Sequence, residues 1–272
     1  AVIENEGLIS GQAGAVIGQS TRALTINNHD DGKILANGTA IWSNEGSLAL
    51  NNAGLISAAA QDAIVITTAD AVIVNSGRII GGQYGIVTTP MADGTGRAIN
   101  TSITNNGEII GLNNDGIRLA GGGSVINSGF IVGVNAGAQG TDGISMFAHV
   151  DQSNEDYSAH VTNDENGRIE GQRFAIILSG GGEVVNAGEI EGVNGGVYVQ
   201  GTALNTDPSE DRSGLTAKVV NTGDIRGTGN LGGSGGDGYG VGFGSDMSTR
   251  TLGNSGTLRS GFCARVSHGS RA

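Results

Sequence analysis

The residues best suited to chemistry in this sequence are carboxylates that recur in one local phrase. Asp115-Gly116-Ile117 and Asp142-Gly143-Ile144 share it, and Asp62-Ala63-Ile64 is a third version. Two carboxylates held close together repel unless one is protonated or a cation lies between them. Paired carboxylates at short range also serve retaining glycoside hydrolysis, so Asp115 and Asp142 are the catalytic candidates if the chain is an enzyme. The plainer reading is preferred, because Asp before Gly is a good corner former. A second set of acids lies between the regular phrases: Asp93; Asp151, Glu155 and Asp156; Asp207, Glu210 and Asp211; and Asp246. His149, Tyr157 and His160 accompany them. Such a set suits a cation or a carbohydrate held between loops, although exposed loops are polar in any case. Calcium is the one ion these acids suggest; no other cofactor is implied.

Other constellations are weaker. His29 with Asp30 and Asp31 has the types for a metal or acid–base cluster, but Asn27-Asn28-His29-Asp30-Asp31-Gly32 is built from turn formers and reads as a solvated corner. The run Gly232 to Gly240 resembles a Gly-Gly-x-Gly-x-Asp calcium repeat and also matches Gly-x-Ser-x-Gly around Ser234. The first acts in tandem copies, and the second needs a strand before it and a helix after it. Neither condition is expected here, so the run reads as a loop. Cys263 and His268 could pair as nucleophile and base, but they lie where the sequence pattern ends. Trp42, just after a strand piece, is either a sugar platform or a ring packed against the body. No phosphate-binding loop and no His-Glu-x-x-His occurs.

The element that positions all of these is a repeat. Asn-x-Gly recurs at Asn5, Asn52, Asn75, Asn105, Asn127, Asn186, Asn221 and Asn254, with expanded copies from Asn28 to Gly32 and from Asn163 to Gly167. An apolar residue follows each Gly two positions on, as in Ile56, Ile109 and Ile190, and a third apolar piece such as Gly85-Ile86-Val87 closes the unit. The pieces are about three to five residues long and mostly alternate, which suits strands and excludes helices. Compact units of roughly 22–24 residues match one turn of a β-solenoid. The expected fold is therefore all-β: about ten coils, each with three short strands, stacked about 4.8 Å apart as one domain over 1–272. One coil cannot bury its own apolar face, so its neighbours must. Asn52, Asn75, Asn105, Asn127, Asn186 and Asn221 are expected to stack as an amide ladder. The Gly after each Asn is expected to supply a corner conformation that a Cβ would penalise.

Composition narrows the partners. The 272 residues carry a net charge of −12 and only two lysines, Lys33 and Lys218, which disfavours nucleic acid and anionic membrane surfaces. A single cysteine rules out an internal disulfide and a cysteine-rich zinc site. Aromatics are 4% of the chain, as a narrow solenoid core requires. The chain opens at Ala1 inside a repeat phrase and reads as a fragment or processed product. Without evident caps, its ends could also stack on further copies.

Insertions are expected at about 88–98, 149–160, 200–217 and 244–250. All follow the third strand of a coil and so line one side of the rod, which is often the binding side. Another, at about 228–237, lies at the preceding corner. Arg97 and Arg212 are the basic residues of these loops.

Asn186-Ala187-Gly188-Glu189-Ile190-Glu191-Gly192 and Asn221-Thr222-Gly223-Asp224-Ile225-Arg226-Gly227 resemble the passenger regions of Gram-negative autotransporters and filamentous-haemagglutinin-like adhesins. That resemblance covers residues 1–260 and implies a single-stranded right-handed parallel β-helix. It also implies location at the bacterial outer-membrane surface or outside the cell, an outer-membrane barrel in the full-length protein, and adhesion or biofilm formation. The expected partner is a host or neighbouring-cell glycan or protein, bound through the loops of one corner, or another copy stacked end to end. Two other readings stand beside it: a polysaccharide-cleaving β-helix enzyme, similar to pectin lyase-like chains, and a self-assembling extracellular filament subunit.

Overall fold

The structure is a computed structural model, which describes all residues except 68–69, 90–99, 136–139, 148, 151–155, 158, 202–214, 230–237, 245–246, 260–263 and 267–272; for 149–150, 156–157 and 264–266 it describes the backbone alone. Three ten-stranded sheets run the length of the molecule. The first begins Val2–Asn5, Leu24–Asn28, Leu48–Asn52; the second Leu8–Gly11, Lys33–Ala36, Leu55–Ala58; the third Gly14–Gly18, Thr39–Ser43, Ile64–Ile66. Each coil gives one strand to each sheet, and every strand pairs in parallel with its counterparts in the coils before and after. This is a right-handed parallel β-helix of ten coils, numbered 1 to 10 below from the N-terminal end. No helix occurs among the described residues.

Register explains the sequence pattern. Ile79, Ile109, Ile131 and Ile169 align strand to strand, all point inward, and all are fully buried. Ile73, Ile103 and Val125 do the same in the first sheet, and Ile86, Ile117 and Ile144 in the third. Each such side chain contributes about 1.5–3 kcal/mol of burial, available only because another coil lies above and below it.

The Asn residues close the corner after the first strand. From Asn5 through Asn28, Asn52, Asn75, Asn105, Asn127, Asn163, Asn186 and Asn221 to Asn254, each Nδ2 donates to the next coil's Oδ1 at 2.7–2.8 Å. All of these amides except the terminal Asn254 are buried, and their second N–H reaches backbone carbonyls such as those of Gly54 and Gly77. A buried amide must be bonded or it costs stability, and this ladder bonds both ends of it.

The corner glycines serve a different purpose from the expected one. None of Gly54, Gly77, Gly107, Gly129, Gly188, Gly223 or Gly256 has a positive φ. A Cβ on Gly107 would instead lie 2.0 Å from the carbonyl oxygen of Gly77, and one on Gly77 2.1 Å from that of Gly54. Glycine is required here by the closeness of stacking. Positive φ occurs elsewhere, at Gly122 and Gly123 and at Gly180, Gly181 and Gly182, where the third strand turns tightly back to the first.

These tight turns alternate with the insertions. Long connections follow Ile86–Thr88, Ile144–Phe147 and Gly195–Gln200, in coils 4, 6 and 8, and the tight glycine turns close coils 5 and 7. Two coils span about 9.6 Å, enough width for one inserted segment beside the next. Their limits differ from the sequence expectation. Thr88, Ala159, His160, Thr216, Ala217, Thr249 and Arg250 belong to sheet strands. The coil-6 insertion is not a plain loop: its backbone forms a two-stranded antiparallel ladder with His149 opposite Tyr157 and Val150 opposite Asp156.

Candidate functional site

The outer face of the third sheet gathers the groups with chemical potential. At its start, one register position runs through Asp115, Asp142, Phe174, Gly195 and Tyr239. Tyr84 and Asp62 occupy the equivalent place in coils 4 and 3. The adjacent outward row carries Ile17, Trp42, Val65, Val87, Arg118, Ser145, Ile177 and Tyr198. Trp42 therefore lies within strand Thr39–Ser43, not after it, with 38% of its surface exposed.

The aspartates act first as caps. Asp62 accepts the backbone N–H of Tyr84 at 3.1 Å, Asp115 that of Asp142 at 2.9 Å, and Asp142 that of Phe174 at 3.0 Å. Each carboxylate thus ties its own coil to the next one. Asp115 and Asp142 do come together, and both are buried. The cation that close carboxylates require is Arg173, whose Nε and Nη2 reach Asp142 at 3.0 and 2.5 Å. This pairing raises the Arg173 pKa further, chiefly through the hydrogen bond to Asp142. The other oxygen of Asp115 accepts the Ser145 hydroxyl at 2.6 Å. Burial, and then the neighbouring Asp142, push the Asp115 carboxyl above the usual carboxylate range. All four carboxylate oxygens are therefore engaged within the protein. Burial likewise raises Asp62, a lone cap.

Beside them lies a strip of rings and guanidinium groups that the sequence reading missed. The Arg118 guanidinium stands over Phe147 at 5.1 Å and Tyr84 at 5.7 Å, and donates to the Tyr84 hydroxyl at 3.1 Å. Phe174 stacks on Tyr198 at 5.3 Å, and Tyr239 completes the group at 6.0 Å from both. Glycines make the room: a Cβ on Gly242 would lie 2.4 Å from the Tyr239 ring, and one on Gly195 2.7 Å from it. Tyr84, Arg118, Phe147, Phe174 and Tyr198 are half-buried. A row of amides borders the strip: Asn114 donates to Gln83 at 2.8 Å and Asn135 to Asn113 at 3.2 Å. Rings, a guanidinium and amides in one strip suit a ligand with both apolar faces and hydroxyls. The signal in the sequence is register alone, since Tyr84, Arg118, Phe147, Phe174, Tyr198 and Tyr239 share no motif.

The loop candidates Asp93, Asp151, Glu155, Asp207, Glu210 and Asp211 lie outside the described residues, as do Arg97, Ser234, Asp246, Arg212, Cys263 and His268. His149, Asp156 and Tyr157 are placed by backbone on the antiparallel ladder, at the far end of the third-sheet strands from Asp115 and Asp142. His29 does not join Asp30 and Asp31 in a cluster; its Nε2 lies 3.0 Å from Glu4 of the preceding coil. Among the described residues no three His, Cys, Asp or Glu side chains converge as metal ligands. A separate open groove of about 790 Å3 runs along the second sheet, where Phe130 lies between Arg78, Glu108 and Arg168.

The fold and this surface define an all-β right-handed parallel β-helix with a half-buried aromatic and arginine strip along one outer face. Comparison with known proteins returns no matching family model, no matching curated protein and no matching solved structure.

Proposed function

We propose that this chain is the rod of a surface-exposed or secreted adhesive protein that holds a glycan against the outer face of its third sheet. The observation that carries this reading is the strip of Tyr84, Arg118, Phe147, Phe174 and Tyr198, half-buried beside a row of side-chain amides. Rigid rings offer contact area at low entropic cost, and amides pair with sugar hydroxyls. The insertions of coils 4, 6 and 8 leave from the ends of the same strands. The resemblance of the Asn-x-Gly phrase to autotransporter passengers supports export to the bacterial surface and attachment there through a barrel. The net charge of −12 supports the exclusion of nucleic acid.

A second reading, polysaccharide cleavage, draws on Asp115, a carboxyl that keeps its proton above the usual range beside Asp142. A carboxyl that keeps its proton beside a second carboxyl is a starting point for glycoside hydrolysis. Their engagement within the protein weighs against it. A panel of immobilised glycans and soluble polysaccharides, assayed with and without calcium for binding and for new reducing ends, separates the two. Binding without cleavage is expected. Cleavage that Asp115→Asn abolishes transfers the assignment to the second reading, and absence of binding to every member overturns the first.

A further inference from the structure

The outward face of the second sheet changes character along the rod. In coils 3 to 6 its two outward rows read Leu55, Arg78, Glu108, Phe130 and Ser57, Ile80, Ile110, Val132. In coils 7 to 9 the same rows read Arg168, Glu189, Asp224 and Glu170, Glu191, Arg226. The charged half satisfies itself through pairs such as Arg168 with Glu170 and Arg226 with Asp224. The apolar half carries one ion pair, Arg78 to Glu108 at 2.6 Å, with both side chains about half exposed. Leu55, Ile80, Ile110 and Phe130 are partly exposed and lie side by side across four coils, one of several apolar surfaces of the rod beside the exposed Val72, Val74 and Ile126 of the first sheet; the charges Arg78 and Glu108 in its middle distinguish it.

We infer that two copies of this chain associate face to face and antiparallel through this half of the second sheet, about a two-fold axis running along the strands between coils 4 and 5. The face is self-complementary in that register. Arg78 meets the partner's Glu108, Ile80 the partner's Ile110, and Leu55 the partner's Phe130; Ser57 lies over the partner's Val132, which is already buried within its own chain. Phe130 lies in the open groove described above, which gives the partner's Leu55 a recess. Other arrangements are worse. Sliding one copy by a single coil sets Arg78 on Arg78 or Glu108 on Glu108. Parallel packing about the rod axis puts both charges against isoleucine, where they lose water without gaining a partner. Isologous contacts of this kind are the commonest form of self-association.

Size sets the strength. Four coils at about 4.8 Å and two rows about 7 Å apart, with side-chain margins, make a patch of about 300–400 Å2 per copy. A standard stable interface buries about 800 Å2 per partner, so this dimer is reversible and concentration-dependent.

Sedimentation velocity over a concentration series up to millimolar tests it, using the wild type, Arg78→Glu, Glu108→Arg, and an equal mixture of the two variants, with circular dichroism to confirm folding. The wild type should pass from monomer to dimer. Each variant alone should lose association by about tenfold or more, because like charges then face each other. The mixture should recover it, because each variant supplies the charge that the other lacks. A wild type that stays monomeric throughout, variants that dimerise alone as well as it does, or a mixture that remains monomeric would each overturn the inference. So would binding to phosphatidylcholine vesicles that Ile80→Lys abolishes in a chain that never dimerises, which assigns the face to lipid.

Discussion

Asp115 is the residue at which structure and energetics pull in opposite directions. Its carboxylate caps the Asp142 N–H, yet it is buried beside a second carboxylate. The folded form holds this proton to higher pH than the unfolded chain does. The stability Asp115 contributes is therefore present below the ordinary aspartate value of about 3.9 and is lost as pH rises through its elevated folded value. Asp115→Asn keeps an acceptor for the Asp142 N–H and lets Ser145 accept from the new amide. It should raise stability at pH 7 by on the order of 1 kcal/mol and flatten the fall between acid and neutral pH. Thermal melts at several pH values check this; a variant that melts lower at pH 7 would show that the charge is needed. Asn127 behaves differently, because both its neighbours in the ladder depend on it. Asn127→Ala should cost about 2–3 kcal/mol in urea unfolding, and the terminal Asn254→Ala under about 1. The sequence shows the pairing of Asp115 and Asp142 because they share a phrase. It hides Arg173, the cation between the coils, because the same corner position holds Gln83, Asn114, Thr141 and Asn194 in other coils, so no repeated residue type marks it.

The strands themselves were readable almost throughout, since Ile109, Ile131 and Ile169 recur two places after a glycine and each must fill the same inward row. The corners were read with the right residues and the wrong cause. Gly107 is glycine because the coil beneath it is too near for a Cβ, not because of its φ. The distinction can be measured. Gly107→Ala should lose about 2 kcal/mol or more through overpacking. Gly253→Ala, with nothing within 4 Å of the added Cβ, should stay within about 0.5 kcal/mol of wild type. Equal effects at the two positions would return the corner argument to backbone conformation. Insertion limits shifted by a few residues because Ala159 and Thr216 pair in the first sheet beyond the recognisable phrase. The candidate strip was not readable at all. Its members point outward, where no packing constraint imposes a period, and they neighbour one another only after the insertions between coils are counted out.

At the scale of the whole molecule, ten stacked coils divide the labour among three faces. The first corner carries the amide ladder that aligns the stack, the second sheet offers a flat apolar half, and the third bears the strip of rings and guanidinium groups. Insertions on alternate coils, separated by tight glycine turns, leave from one edge of that third face. The claim that joins these levels is that the third face, and not the second, receives the ligand. Binding of a glycan found in the panel, measured by calorimetry for Tyr198→Ala, Arg118→Ala and the second-sheet control Arg78→Glu, tests it most directly. The account predicts a loss of about tenfold or more for each third-face variant, the scale of one aromatic or arginine contact, and unchanged affinity for the control. Full affinity in Tyr198→Ala and Arg118→Ala would contradict it and move the site elsewhere on the rod.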